Sequence, residues 1–417
     1  MTKNLSKIFI VIAIFLTSCH DKQITCVIKG KVIGVSSDSI LLNKATDDMR
    51  YSQVYIPIID SLFEYTLTVP QTEPYELIYL NDYIKGGMRP ILIFPKNGEI
   101  KCTLYPSEYF RKNEISGDLN QEYKSFQKNS EDIFSPQYRP LYDSLMGLRT
   151  RDEYYNEELK QLNHQLETDK NQDNRSIIFK ILDDAEINGT GLSQKASYYR
   201  MKIDSINKAA NNWKYKYIEE NISPVSYYLI FQDLERISYM KMDIDYIRKA
   251  YALYSQELPE HPYTKVIGEM LNSYETIKVG GTYIDFSAPD LNGNIVKLSD
   301  VIKDKYALID LWSSWCGPCI RNSRALIPVY EEFKDKGFIV CGVAAEIKNT
   351  DQLIKRIEIE KFPWINLVDL DHKNHIWYKY GIQNSGGGTF LVDPKGMILA
   401  IQPFPDEVRN ILSEKLK

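Results

Sequence analysis

The sequence predicts three regions of different class: a β-rich sandwich or barrel over residues 24–118, a helical connector or bundle over 119–275, and an α/β sandwich over 279–417. Three observations predict them. In the first region short apolar or alternating runs recur at roughly ten-residue spacing, separated by turn-forming residues. In the second, Glu, Lys, Gln, Leu and Tyr dominate, and Ile244, Ile247, Tyr251 and Tyr254 mark one helical face. The third alternates strands with helix-length segments and sets Cys316 and Cys319 directly after an apolar strand.

Composition bounds what the chain can be. Its 417 residues exceed one ordinary domain. Hydrophobic content of 43% and charged content of 26% are those of a globular protein. With 51 Lys+Arg against 56 Asp+Glu the net charge is −5, and no basic block offers nucleic acid the clustered cations it requires. The 30 tyrosines scatter through all regions, as packing residues would, rather than as a platform for stacked ligands.

The first residues read as a targeting segment. Lys3 and Lys7 precede an apolar run, Ile8 to Leu16, of nine residues, too short to span a bilayer but suited to a signal-peptide core. The run ends in Leu16-Thr17-Ser18-Cys19, which resembles the lipobox of bacterial lipoproteins. That resemblance implies cleavage after residue 18, lipid on Cys19 and a mature protein held to a membrane by acyl chains, each CH₂ contributing about 0.8 kcal/mol. The expected location is the periplasm or cell envelope, where disulfides can persist.

The predicted strands of the first region are Cys26 to Ile33, Ser39 to Leu42, Gln53 to Ile59, Phe63 to Val69, Tyr75 to Leu80, Pro90 to Phe94 and Ile100 to Leu104. Gly34-Val35-Ser36-Ser37-Asp38 and Pro95-Lys96-Asn97-Gly98 are turns between them. The run order, Gly30-Lys31-Val32 and the closing Ile115-Ser116-Gly117-Asp118-Leu119-Asn120 resemble the β-rich domain of unknown function that precedes thioredoxin domains in lipoproteins of Bacteroidetes-type bacteria. Cys26, Cys102 and Cys341 sit in apolar strands, where buried inert thiols are the default. A Cys26–Cys102 bridge is the alternative if their strands are neighbours. In the connector, Pro224, Pro259 and Pro262 punctuate the helices, and His164 and His261 read as isolated surface residues.

In the last region Ala307 to Trp312 and Phe338 to Ala344 are predicted strands, Cys319 to Lys334, Thr350 to Glu360 and Asp406 to Leu416 helices, and Thr389 to Asp393 with Ile398 to Gln402 a hairpin. The run Trp312-Ser313-Ser314-Trp315-Cys316-Gly317-Pro318-Cys319 places two cysteines at a helix start, where unpaired N–H groups and the helix dipole favour a thiolate on Cys316. Pro318 loses no hydrogen bond in a first turn. A structural zinc site needs a second ligand pair, and His372 with His375 alone does not complete one. No metal and no cofactor is expected.

This segment resembles the thioredoxin superfamily and, within it, the membrane-tethered TlpA/ResA-like group. The run from Gly281 to Leu291, the Asn292-Gly293 turn and Lys297-Leu298-Ser299-Asp300 add to the dithiol. The resemblance implies that Cys316 attacks, that Cys319 resolves the mixed disulfide, that Asp310 takes the proton of Cys319 and that Trp315 shields the nucleophile and meets substrate. Exported protein thiols and disulfides would be the substrates, with a membrane thiol carrier supplying electrons. Two positions depart from the family pattern. Asn322 stands where a Glu is often found, and Gly387, within Gly386-Gly387-Gly388, replaces a cis-proline facing the dithiol. A cis bond before a non-proline costs about 2.5–4 kcal/mol, so the Gly387 loop is expected to take another path. Two other functions remain in view: a tethered binding or scaffold protein, and a peroxiredoxin-like peroxidase. The Ala288-Pro289-Asp290 run is shared with peroxiredoxins, but residues 309–316 lack their Pro-x-x-x-Thr-x-x-Cys setting.

Overall fold

A computed structural model of the chain describes residues 23–47, 53–87, 89–237, 242–382 and 387–416. The signal segment and Cys19 lie outside the described residues. Two compact units emerge, one within residues 1–42 and 55–117, the other within 43–54 and 118–417. The helices and the α/β sandwich thus belong to one unit, where the sequence reads two regions.

In the first unit, β1 (Ile24–Val32), β4 (Leu62–Val69), β7 (Gly98–Leu104) and β8 (Glu114–Ile115) form a sheet of order β4-β1-β7-β8. A second sheet has the order β3-β2-β5-β6, from β2 (Ser39–Lys44), β3 (Val54–Pro57), β5 (Tyr75–Tyr79) and β6 (Ile91–Ile93). Period-two alternation buries Cys26 and Ile28 from β1 and Ile100, Cys102 and Leu104 from β7. A short helix, α1 (Leu80–Ile84), and a 3₁₀ turn at Ser107–Lys112 interrupt the strands. Cys26 and Cys102 are free thiols on neighbouring strands. Cys26 pairs in register with Gly98, four positions from Cys102. At strand rise that offset is about 13 Å, beyond the roughly 7 Å a disulfide can span, so the alternative bridge is ruled out in this fold.

The helical part of the second unit comprises α2 (Asp118–Thr150), α3 (Glu157–Thr168), α4 (Gln172–Asn188), α5 (Gln194–Glu220), α6 (Pro224–Glu235), α7 (Ile244–Glu257) and α8 (Pro262–Thr276). Pro224 and Pro262 occupy first-turn positions, and Ser193, Ser223 and Asp243 accept backbone N–H bonds as N-caps. On α7 the predicted face buries Ile244, Ile247 and Tyr254. Two tyrosines of this helical part, Tyr215 and Tyr254, bury their rings and keep their hydroxyls bonded. Tyr215 Oη donates to Asp233 at 3.0 Å, and Tyr254 Oη lies 2.8 Å from the Ile218 carbonyl. His164 is exposed and 3.1 Å from Asp152. His261 corrects the surface reading. It is buried against Tyr227 and Tyr263, and its Nδ1 caps α8 by accepting from the Tyr263 N–H at 3.2 Å.

The remainder is an α/β sandwich. A hairpin of β9 (Ser287–Pro289) and β10 (Ile295–Lys297) turns at Gly293 and leads into α9 (Leu298–Val301). The central sheet has the order β13-β12-β11-β14-β15, from β11 (Tyr306–Trp312), β12 (Phe338–Glu346), β13 (Ile365–Leu370), β14 (Gly388–Val392) and β15 (Ile398–Ile401). β11, β12 and β13 run parallel, while β14 is antiparallel to β11 and β15 to β14. Both faces are covered, as a parallel sheet requires. Alternation along β11 sends Ala307, Ile309 and Leu311 to one core, and Leu308 and Trp312 to the other. α10 (Gly317–Phe333) and α13 (Pro405–Lys415) cover the second face, where Ile320, Leu326, Val329, Phe333, Val408 and Leu412 are buried. α11 (Asp351–Glu360) contributes Leu353 to this core. α12 (Ile376–Lys379) contributes Ile376 and Trp377 to the first, and Glu269 of α8 meets His375 beside it at 2.8 Å.

Candidate active site

β11 ends at Trp312, the chain turns through Ser313 to Cys316 (Cys316 N–H to Ser313 O, 2.9 Å), and α10 begins at Gly317. Cys316 is the N-cap of that helix: its Sγ accepts from the Cys319 N–H at 3.2 Å, while its carbonyl takes the Ile320 N–H at 3.0 Å. Gly317 and Pro318 fill the first turn, which needs no donor from proline. Cys316 and Cys319 form a disulfide, their Cα atoms 5.3 Å apart. Exposure does not single out the attacking sulfur, because Cys316 is 6% exposed and Cys319 is half-buried. Helix position separates the two sulfurs instead: Cys316 stands at the cap, where the Cys319 N–H reaches its Sγ. Trp315, 36% exposed, lies beside it at the surface.

Asp310 is on the central strand, paired in register with Gly342 on one side and Thr389 on the other. It lies two residues from Leu308 and from Trp312 and so shares their face, beneath α10. There it is 2% exposed, and burial pushes its carboxyl up to about 6 despite a hydrogen bond donated by Ser323. Ser323 Oγ is 2.7 Å from Asp310 Oδ2 and 3.0 Å from the Cys319 carbonyl oxygen. Among the described residues it is therefore Ser323, rather than the half-buried Asn322, that touches the carboxyl. Sequence reading passed over Ser323, although a signal was present. Ile320, Ser323, Leu326, Val329 and Phe333 form the buried stripe of α10, and only one of them is polar.

A second carboxylate joins from the end of β12. Glu346 is 5% exposed and accepts both the Ser314 N–H (2.8 Å) and the Ser314 hydroxyl (2.9 Å). Burial raises its carboxyl above the ordinary value, and the two Ser314 donors pull the other way. It grips the loop two residues before Cys316. Nothing in its local sequence, Ala344-Ala345-Glu346, distinguishes it from a solvent-facing strand end.

The Gly387 loop takes the path glycine alone permits. The described residues contain no cis peptide bond, and Gly387 has φ +150°. A Cβ there would overlap the Leu311 carbonyl and crowd Trp312 Cα, so the loop backbone packs directly on the strand end that carries the dithiol turn. Gly386 lies outside the described residues. The other thiol of the sandwich, Cys341, is buried in β12 and pushed up to about 12 by burial.

A parallel strand, a dithiol at the start of the following helix and a buried carboxyl beneath that helix form one constellation, and the segment that carries it is similar to known proteins. The AhpC/TSA family matches residues 279–401. The thiol–disulfide oxidoreductase ResA of Bacillus thuringiensis is 27% identical over 128 residues, covering 30% of this chain and 69% of that one. The ResA of Bacillus subtilis is likewise 27% identical over 128 residues, covering 68% of its length. The C-terminal third is a thioredoxin-superfamily domain with a closely spaced cysteine pair. Among solved structures, the thioredoxin domain of a thiol–disulfide oxidoreductase from Bacteroides vulgatus is 31% identical, with a TM-score of 0.31, and the match covers 34% of this chain and all of that one. A thiol:disulfide interchange protein from a Bacteroides species is also 31% identical, with a TM-score of 0.31 and 91% of its chain covered. In this domain the close cysteine pair is the 316–319 disulfide.

Proposed function

We propose that the chain is a lipid-anchored, extracytoplasmic member of the TlpA/ResA-like group that reduces disulfides of exported proteins through Cys316 and Cys319. The observation that carries this reading is the cap. In the reduced state the donor now 3.2 Å from Cys316 Sγ meets a thiolate, stabilised further by the start of α10. That thiolate attacks a substrate disulfide. A Cys316–substrate bond forms, the substrate S–S bond breaks, and one substrate thiolate leaves. Asp310, ionised above about pH 6, takes the proton of the Cys319 thiol. The Cys319 thiolate then displaces the second substrate sulfur and closes the 316–319 disulfide. Two electrons pass to the substrate, and its two sulfurs leave as thiols after proton uptake. A membrane thiol carrier restores the dithiol by the reverse exchange. Trp315 beside the pair and the Gly387 loop against the end of β11 form the surface that a substrate backbone meets.

Anchoring rests on Leu16-Thr17-Ser18-Cys19. No helix among the described residues is long and apolar enough to cross a membrane. Cys19→Ser is expected to move the protein from the membrane to the soluble fraction. The β-rich domain over 24–118 and the helical region over 119–275 have no catalytic constellation in their sequences and serve in this reading as spacer and partner surface.

The AhpC/TSA match favours one other reading, a peroxidase acting through Cys316. Cys319→Ser separates the two. It is expected to accumulate mixed disulfides through Cys316 with exported proteins, while the wild type reduces insulin. Peroxide consumption that survives Cys319→Ser, with no trapped partner and no insulin reduction by the wild type, would sink the reductase reading.

A further inference from the structure

Ser323 stands between the proton-accepting carboxyl of the mechanism above and the backbone of the resolving cysteine. Its hydroxyl oxygen is 2.7 Å from Asp310 Oδ2 and 3.0 Å from the Cys319 carbonyl, and the residue is 1% exposed. A hydroxyl has one hydrogen and can donate to one acceptor at a time. With Asp310 ionised, both neighbours are acceptors, and the charged one holds the hydrogen more strongly. With Asp310 protonated, the carboxyl has a hydrogen of its own to give.

We propose that Ser323 is the positioning residue of the proton-transfer step, a hydroxyl that reverses its donation when Asp310 takes the proton of Cys319. The Cys319 S–H bond breaks and the Asp310 O–H bond forms. That new O–H then donates to Ser323 Oγ, and the serine hydrogen turns to the Cys319 carbonyl. No electrons move in this step, and every buried polar atom of the three keeps a partner in both states. This matters because a buried group left unbonded in one state would resist reaching it. The turn also links the protonation of Asp310 to the backbone of the resolving cysteine. Besides the cysteine pair of the mechanism, the nearest titratable group from β12 is the Cys341 thiol, which belongs to the core on the other face of the sheet and is kept neutral by burial. Ser323 is the one hydrogen-bonding side chain that α10 offers the carboxyl.

The proposal rests on the redox reading of the pair, but its first test does not. In the full chain with ¹³C-labelled aspartate, the Asp310 carboxyl is titrated by NMR in the wild type and in Ser323→Ala, a change that suits a helix interior. The midpoint is expected to rise by about one pH unit or more when the hydroxyl is lost. An unchanged midpoint overturns the proposal whether or not the protein reduces disulfides. The second test is insulin reduction against pH. Ser323→Ala is expected to move the wild-type profile to higher pH by the same interval and to have no further effect in an Asp310→Asn background. An equal loss at every pH, repeated in that background, would make Ser323 merely structural and overturn the proposal. Absent insulin reduction in the wild type alongside a shifted Asp310 midpoint would count against the redox reading and leave the hydroxyl's hold on the carboxyl established.

Discussion

Asp310 is a carboxyl buried at the centre of the sandwich, and that burial has a pH signature. Its folded value of about 6 lies above its ordinary 3.8, so between these limits the folded chain holds more protons than the unfolded one. Below the window the group costs nothing. As pH rises through it stability falls, and above it the full penalty, on the order of 3 kcal/mol, applies. Asp310→Asn is therefore expected to be more stable than the wild type at pH 8, with the difference vanishing near pH 3.5 in paired denaturant titrations. Its disulfide reduction at neutral pH is expected to fall about 10²-fold, since the base is gone. Opposite signs for stability and activity at one residue mark a functional strain rather than a packing choice. Gly387 is constrained differently. Positive φ and overlap with Leu311 both act against any side chain, so Gly387→Ala is expected to cost roughly 3 kcal/mol. Gly387→Pro is expected to destabilise at least as much, because proline cannot adopt that φ. A variant as stable as the wild type in thermal unfolding would show that the loop is free to move away.

At the scale of elements, the dithiol turn is held from both ends. Trp312 anchors it in the core against the Phe362 ring, at 5.4 Å between centroids, and Glu346 grips Ser314 from β12. Glu346→Ala leaves the Ser314 N–H and hydroxyl without their acceptor and is expected to cost about 1–3 kcal/mol and to alter the emission of the neighbouring Trp315. Unchanged stability and emission would mean that the turn is held by its own hydrogen bonds. Strands and helices with a clean apolar period were readable in the sequence. Seven strands of the β-rich unit, the β11–α10–β12 core of the sandwich and the 316–319 pair stand within a few residues of expectation. What escaped was set by partners far along the chain. β13 reads Ile365-Asn366-Leu367-Val368-Asp369, a run whose buried Asn366 and Asp369 hide its strand character. Asp369 is buried because it accepts the N–H groups of Asn374 and Ile376 in the following turn. Glu346 and Ser323 escaped for the same reason, because each is defined by a contact across the sheet. His261 looked exposed in sequence because its cap and its aromatic neighbours come from folding.

At the scale of the whole molecule, the cysteines divide into two chemical classes. Cys26, Cys102 and Cys341 are buried, and burial raises all three thiols, Cys102 and Cys341 to about 12. After reduction of the native chain at pH 8, alkylation is expected to modify Cys316 and Cys319 quickly and these three only on unfolding, with mass spectrometry of the peptides as the check. Fast labelling of Cys341 would mean that the sheet opens beside Asp310. At the dithiol the cap and the helix start favour a thiolate on Cys316, supported by a single backbone donor. A modestly stabilised thiolate belongs to a reducing couple. The reduction potential of the Cys316–Cys319 pair, measured against glutathione or dithiothreitol buffers, tests this most directly. A value near about −270 mV, the thioredoxin level, is expected, whereas one near about −120 mV would make the pair an oxidant and contradict the reductase reading.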